Sequence, residues 1–144
     1  KYFINTEIAI VIGTINDERD SALIENTCKL LSKMGILSLL MVSKEYNNDN
    51  LQDIIYKTSL KYLSENCSSI FDVERAKFQD SVIQLSNNFY ELINFNGIFN
   101  LNVGDFYKIF NGGINSFFAY AIASRNDRGK KVVEEILNNN KDKI

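Results

Sequence analysis

Asn100, Asn102 and Asp105 bring two amides and a carboxylate together within a glycine-bearing stretch, Phe95-Asn96-Gly97-Ile98-Phe99-Asn100-Leu101-Asn102-Val103-Gly104-Asp105-Phe106. Oxygens spaced this closely can position a water molecule or hold a cation. They can also do no more than satisfy the backbone of a turn, the ordinary work of Asn and Asp between elements. A second polar group, Asp17, Glu18 and Asp20, stands where a helix should begin. Acidic capping of that helix is the default reading, and a carboxylate-held cation that would in turn bind phosphate is the chemical one.

The element that must deliver the Asn/Asp stretch is a long amphipathic helix from about 75 to 94. Phe78, Val82, Leu85, Phe89, Leu92 and Ile93 recur at three- and four-residue steps, so one stripe faces a core. At the helical rise this segment spans roughly 30 Å, the width of a small domain. Gly97 is suited to end it in a left-handed conformation.

Upstream, Ile8-Ala9-Ile10-Val11-Ile12 followed by Gly13 reads as a strand buried on both faces of a parallel sheet. Residues 17–34 read as a helix with Leu23, Thr27, Leu30, Leu31 and Met34 inward, closed by Gly35. Residues 36–42 form a second buried strand, which completes a βαβ unit with an expected right-handed crossover. A third helix over 51–66 turns Leu51, Ile54, Ile55, Thr58, Tyr62 and Leu63 to one side, and 68–73 is a short third strand. Beyond the polar stretch come a short helix over 103–110, a Gly112-Gly113 turn, a strand over 116–123 and a closing helix over 127–138. The basic group Arg125, Arg128, Lys130 and Lys131 reads as a solvated face. The fold class is therefore α/β: a partial Rossmann-like parallel sheet with flanking helices and a long central helix.

Composition narrows the chemistry. The 144 residues contain no histidine, which excludes Ser-His-Asp and Cys-His catalysis and imidazole-containing metal sites, and no metal site is expected. Cys28 and Cys67 are far apart in sequence and read as buried free thiols rather than a disulfide. A formal charge of −2 gives no reason to expect nucleic acid as a partner. No apolar run approaches the roughly 18 residues of a membrane span, and no charged-then-apolar leader opens the chain, so a cytoplasmic protein without direct membrane insertion is expected.

The helix and its polar stretch resemble the FtsZ branch of the FtsZ/tubulin superfamily. Gly97-Ile98-Phe99-Asn100-Leu101-Asn102-Val103-Gly104-Asp105 is similar to the family's catalytic loop, roughly G-L-(I/M)-N-(L/V)-D-F-A-D-V. The match runs on without a gap to Ala123-Ser124-Arg125-Asn126-Asp127-Arg128, similar to A-S-G-E-(N/D)-R. The resemblance implies a GTP-hydrolysing filament protein of cell division or the cytoskeleton, whose loop acts on the nucleotide of the next subunit. Partners would then be the chain itself or an FtsZ-like subunit, met through residues 97–105. It assigns catalytic roles to Asn100, Asn102 and Asp105, with Asn102 standing where the family has an aspartate. It assigns nucleotide binding to Thr14, Ser21 and Asp80, the last at the position that reads the guanine base, with Arg75 in place of a base-stacking aromatic.

One part of the family pattern is missing. Where the resemblance calls for G-G-G-T-G-T-G, the chain has Asn16-Asp17-Glu18-Arg19-Asp20-Ser21-Ala22. Side chains there block the close backbone approach that glycines permit, and three carboxylates occupy the electropositive helix end a phosphate would need. GTP or GDP binding is expected to be weak or absent, and hydrolysis absent from this chain alone. The same features suit a non-catalytic pseudo-GTPase module that caps or regulates a filament, and an unrelated doubly wound domain would show similar patterning. Residues 1–94 are read as part of a nucleotide-binding-type domain and 95–144 as the loop and the start of a second domain. The initial Lys1 and the partial match lead to the expectation of a segment from a longer protein.

Overall fold

The computed structural model describes residues 6–45, 50–94, 102–110, 114–116, 124, 126–139 and 141. The order is β1 (Ile8–Ile15), α1 (Glu18–Lys33), β2 (Leu37–Lys44), α2 (Asn50–Asn66), β3 (Ser69–Asp72), a 3-10 turn (Arg75–Lys77), α3 (Phe78–Asn94), α4 (Val103–Phe110), β4 (Ile114–Ser116) and α5 (Arg128–Asn139). The four strands are parallel and stand in chain order, β1-β2-β3-β4. This is a mixed α/β fold with a parallel sheet between helices, as the sequence pattern requires.

β2 is the buried centre. From Leu37 to Ser43 every residue is buried, and alternation sends successive side chains to opposite sides. Leu40 and Val42 meet Ile24 and Cys28 of α1 and Tyr56 and Leu63 of α2 in one core layer. Leu37, Leu39 and Met41 meet Phe78, Leu85 and Phe89 of α3 and Phe106 of α4 in the other. Truncating a fully buried leucine such as Leu39 to alanine would cost about 2–5 kcal/mol through lost burial and the cavity left behind.

The two core layers fix the hand of the last crossover. α1 and α2 cover one face of the sheet while α3 and α4 cover the other, yet the strand order advances in one direction throughout. The β3-to-β4 connection is therefore opposite in hand to the two βαβ units before it. Right-handed crossovers make up about 98% of parallel connections, so α3 and α4 do not form a third unit of the usual kind.

Gly35 closes α1 as its position implies. Its φ of 72° is left-handed, its N–H reaches Ser32 O at 3.0 Å, and Ile36 N–H reaches Leu31 O at 2.9 Å. That pair of bonds is a Schellman cap, and the buried Ile36 that follows leads directly into β2.

Three expectations need correction. β1 is not buried on both faces: among the described residues only β2 pairs with it, and Ile12 is 48% exposed. The inward face of α1 is Ile24, Cys28 and Leu31, whereas Leu23, at 68% exposure, Leu30 and Met34 face outward. On α2 the buried side chains are Tyr56, Ser59 and Leu63, and Leu51, Ile54 and Tyr62 are exposed. Each helix carries two adjoining apolar stripes, and the sheet takes the one whose residues meet β2 and β3. The stripe expected for α3 is buried at Phe78, Leu85 and Phe89, while Leu92 and Ile93 stay exposed near the helix end.

The strand expected over 116–123 lies, beyond Ser116, outside the described residues. Ser116 itself ends β4 and pairs with Phe71 of β3, at the opposite side of the sheet from Ile8–Ile12. Arg128, Lys130 and Lys131 are exposed on α5, with Lys130 3.7 Å from Glu134.

Candidate functional site

Because the strands are parallel, their carboxyl ends form one pole and their amino ends the other. The candidate residues divide between these poles.

At the carboxyl pole, β1 runs through Thr14 into Asn16 and Asp17. Asp17 is extended, with φ −144° and ψ 180°, and caps α1: its Oδ1 accepts from Arg19 N–H at 2.8 Å and Asp20 N–H at 3.0 Å. Those two amides hold its carboxyl below the usual carboxylate range, helped by the Arg19 guanidinium 3.7 Å away. Asp20 Oδ2 in turn accepts from Asn16 N–H at 3.0 Å. The amides that would meet an anion at this helix end are thus already engaged by the chain's own carboxylates.

Thr14, Ser21 and Asp80 do not converge. Thr14 shares the α3 side of β1 with Ile8 and Ile10, whereas α1 lies on the other side. Ser21 lines a groove of about 410 Å³ between α1 and α2, together with Glu18, Glu25, Ile54 and Tyr62. That groove includes neither Thr14 nor Asp80. Asp80 is exposed in the first turn of α3. Nearby, the Arg75 guanidinium lies 5.9 Å above the Phe78 ring, a cation–π contact at the place where the resemblance calls for an aromatic.

Polar contacts that the sequence did not signal gather at the same pole. Tyr56 Oη donates to Asp72 Oδ1 at 2.6 Å. Burial and the adjacent carboxylate push the phenol far above its usual value. Lys44, at the end of β2, pairs with Asp53 of α2, and its ammonium lowers the Asp53 carboxyl. Ser43 is fully buried beside Thr14 in the β1–β2 register, and its hydroxyl has no hydrogen-bond partner. The separation of Tyr56 from Asp72 in sequence, and the apolar neighbours of Ser43, hid these groups from pattern reading.

At the amino pole, Asn102 and Asp105 make a reciprocal capping box. Asn102 Oδ1 accepts from Asp105 N–H, and Asp105 Oδ2 accepts from Asn102 N–H, both at 3.1 Å. The other carboxylate oxygen of Asp105 lies 3.6 Å from Lys108 Nζ. A Cβ at Gly104 would stand 2.9 Å from Asn102 Oδ1, so a side chain there would displace the capping amide. Asn100 lies outside the described residues. The Asn102 and Asp105 oxygens therefore do the structural work of starting α4.

Aromatic packing ties this pole to the core. Phe106 lies 5.3 Å from Phe89, centroid to centroid, and Phe110 lies 5.8 Å from Phe89 and 6.1 Å from Phe71. Tyr107 Oη donates to Gly35 O, just before β2 begins. The 17 residues of α3 span about 25 Å between the poles. Tyr107, in the first turns of α4, meets the Gly35 carbonyl ahead of β2, whereas Thr14 stands beside Ser43 near the far ends of β1 and β2.

Among the described residues no group of three or more Cys, Asp or Glu converges as a metal site, and no helix is long and apolar enough to cross a membrane. No family model matches the chain, and no curated protein matches it.

Proposed function

We propose that the chain is a divergent FtsZ/tubulin-like protein of a filament system, with nucleotide binding degenerate in this chain. The observation that carries the reading is polarity. The Asn102–Asp105 turn stands at one end of the sheet and the Thr14–Asp20 segment at the other, with α3 between them. A loop that works on its own chain's ligand would have to reach from the start of β2 to the far end of the sheet. A loop that works on the next subunit needs just this separation. The unusual hand of the α3–α4 connection agrees with a helix that links two parts of a longer fold.

The second reading is a non-catalytic interaction module that caps or regulates a filament. What favours it is the asymmetry between the poles: the Asn102–Asp105 turn is formed and accessible, whereas Asp17 fills the helix end with a carboxylate. With Asn102 in place of a second carboxylate, one proton acceptor or cation ligand is missing, a loss commonly worth about 10²-fold to 10⁴-fold in rate.

Titration with fluorescent GTP and GDP analogues tests both. Saturation only near millimolar nucleotide, with no turnover, is expected. Micromolar binding would refute the role given to Asp17. Adding the chain to an assembling FtsZ-like GTPase then separates the readings: altered turnover and pelleting support the module, and unchanged behaviour at excess protein counts against it.

A further inference from the structure

β1 is an edge strand that lacks the usual protections. Its eight residues, Ile-Ala-Ile-Val-Ile-Gly-Thr-Ile, hold no charge and no proline, its register with β2 runs without a bulge, and among the described residues only β2 pairs with it. The N–H and C=O groups on its outer side are therefore open to another strand, and Ile12 is 48% exposed. Edges this apolar are ordinarily covered, because they template pairing with another chain.

The helix over that edge carries a matching surface. Along α1, Leu23, Thr27, Leu30 and Met34 follow steps of four, three and four residues, and all of them are exposed. The Thr27 hydroxyl already donates to Leu23 O at 2.8 Å. At about 3.6 residues per turn, this stripe lies on one flank of the sheet-facing Ile24, Cys28 and Leu31, while Ser21 and Glu25, which meet α2, lie on the other. α2 stands toward β3, so the stripe looks outward past β1.

We propose that this side of the molecule is the interface of a two-fold homodimer, in which β1 pairs antiparallel with β1 of a second copy and the two α1 helices pack side by side. One rotation satisfies both elements. An axis beside β1 joins the two sheets into one, and α1 lies over β1 and β2. The copies of α1 then stand two strand spacings apart, roughly 10 Å, the distance at which helices pack. Each stripe meets its own copy, with Thr27 near Leu30 and Leu23 near Met34. Charge favours the same arrangement: antiparallel α1 helices bring the first turn of each, which holds Asp20, to the last turn of the other, which holds Lys33, and oppose their dipoles. A parallel pair would set like charges together. The interface is self-complementary and closed, so it ends at two chains. Both poles of the sheet stay open, and the pairing neither requires nor excludes the filament reading.

Sedimentation from micromolar to millimolar protein should show a monomer–dimer equilibrium with no larger species. Leu30→Glu puts a carboxylate at the centre of the interface, on a side chain 55% exposed in the single chain. It should raise the dissociation constant by roughly 30-fold or more and leave the circular dichroism spectrum unchanged. Amides of β1 that point away from β2 should exchange slowly in the dimer and quickly in this variant. A short bis-maleimide should join Thr27→Cys chains in pairs and leave Lys61→Cys chains, altered at an exposed site on α2, single, since Cys28 and Cys67 are buried. A monomer at millimolar concentration, an open series of larger species, a dimer that Leu30→Glu leaves intact, or equal linkage at Lys61→Cys would overturn the proposal.

Discussion

The hydroxyl of Tyr107 donates to the carbonyl of Gly35, two residues separated by 72 positions in the sequence. Gly35 has just ended α1 with a left-handed turn, and Tyr107 stands one turn beyond the Asn102–Asp105 cap. One bond therefore anchors the start of α4 to the amino pole of the sheet. Tyr107→Phe keeps the ring and removes the bond. It should lower stability by about 1 kcal/mol in urea titrations. Faster hydrogen exchange should follow at Asp105 and Phe106, whose N–H groups bond to Asn102 O.

The capping box predicts a coupled pair of effects. Asn102→Ala and Asp105→Ala should each cost about 1 kcal/mol, and the double variant less than their sum, because each single change already breaks the reciprocal arrangement. Additive losses would show that the two side chains act independently.

Asp17 gives a pH dependence with a defined sign. Its carboxyl is lowered in the folded protein from an ordinary 3.8 by the amides of Asp20 and Arg19. Its contribution is therefore fully present above the unfolded value and is lost as pH falls through the folded one. Asp17→Asn retains a capping oxygen, so stability at neutral pH should change little. The acid limb of the stability curve below about pH 4 should flatten. An unchanged acid limb would show that other carboxyls dominate it.

Tyr56→Phe removes the donor to Asp72 at the carboxyl pole. Asp72 is exposed and can take water in place of the phenol, so the loss should be about 1–2 kcal/mol rather than that of a stranded buried charge. In the folded protein the Tyr56 phenol should resist ionisation through the range where exposed tyrosines titrate, since burial and Asp72 both raise it. Ultraviolet titration of the protein and the variant measures the difference.

Much of the fold could be read from local pattern. The apolar run at Ile8–Ile12, the helix to Gly35 and the run before Lys44 define a βαβ unit because strand and helix periodicities differ sharply there. α4 falls at 103–110, where a short helix is expected after the polar stretch. What escaped was the choice among apolar faces. Leu23 and Leu30 repeat as regularly as Ile24 and Cys28, and Ile54 and Tyr62 as regularly as Tyr56 and Leu63. Periodicity reports that a stripe exists, whereas only the sheet decides which of two adjoining stripes is inside.

The candidate site divides along the same line. The cap chemistry of Asp17 is visible in the sequence because its partners lie within a few residues, whereas Asn102 and Asp105 show there only as a turn able to satisfy its own backbone. Tyr56–Asp72 and Lys44–Asp53 are products of tertiary structure, and no local signal marks them.

The strand order also bears on how the molecule is built. Ile8 pairs with Leu37, Leu39 with Ser69 and Ser69 with Ile114, so each strand joins the one made immediately before it. A chain leaving the ribosome can thus lay down its sheet one strand at a time, with no earlier strand held waiting for a distant partner. The last step closes a loop about half as long again as the others, which costs little extra entropy but must also carry α3 and α4 to the far face. Assembly of that second layer is the natural late event in folding. A nascent chain halted before α3 would expose Leu37, Leu39 and Met41 to any apolar surface within reach.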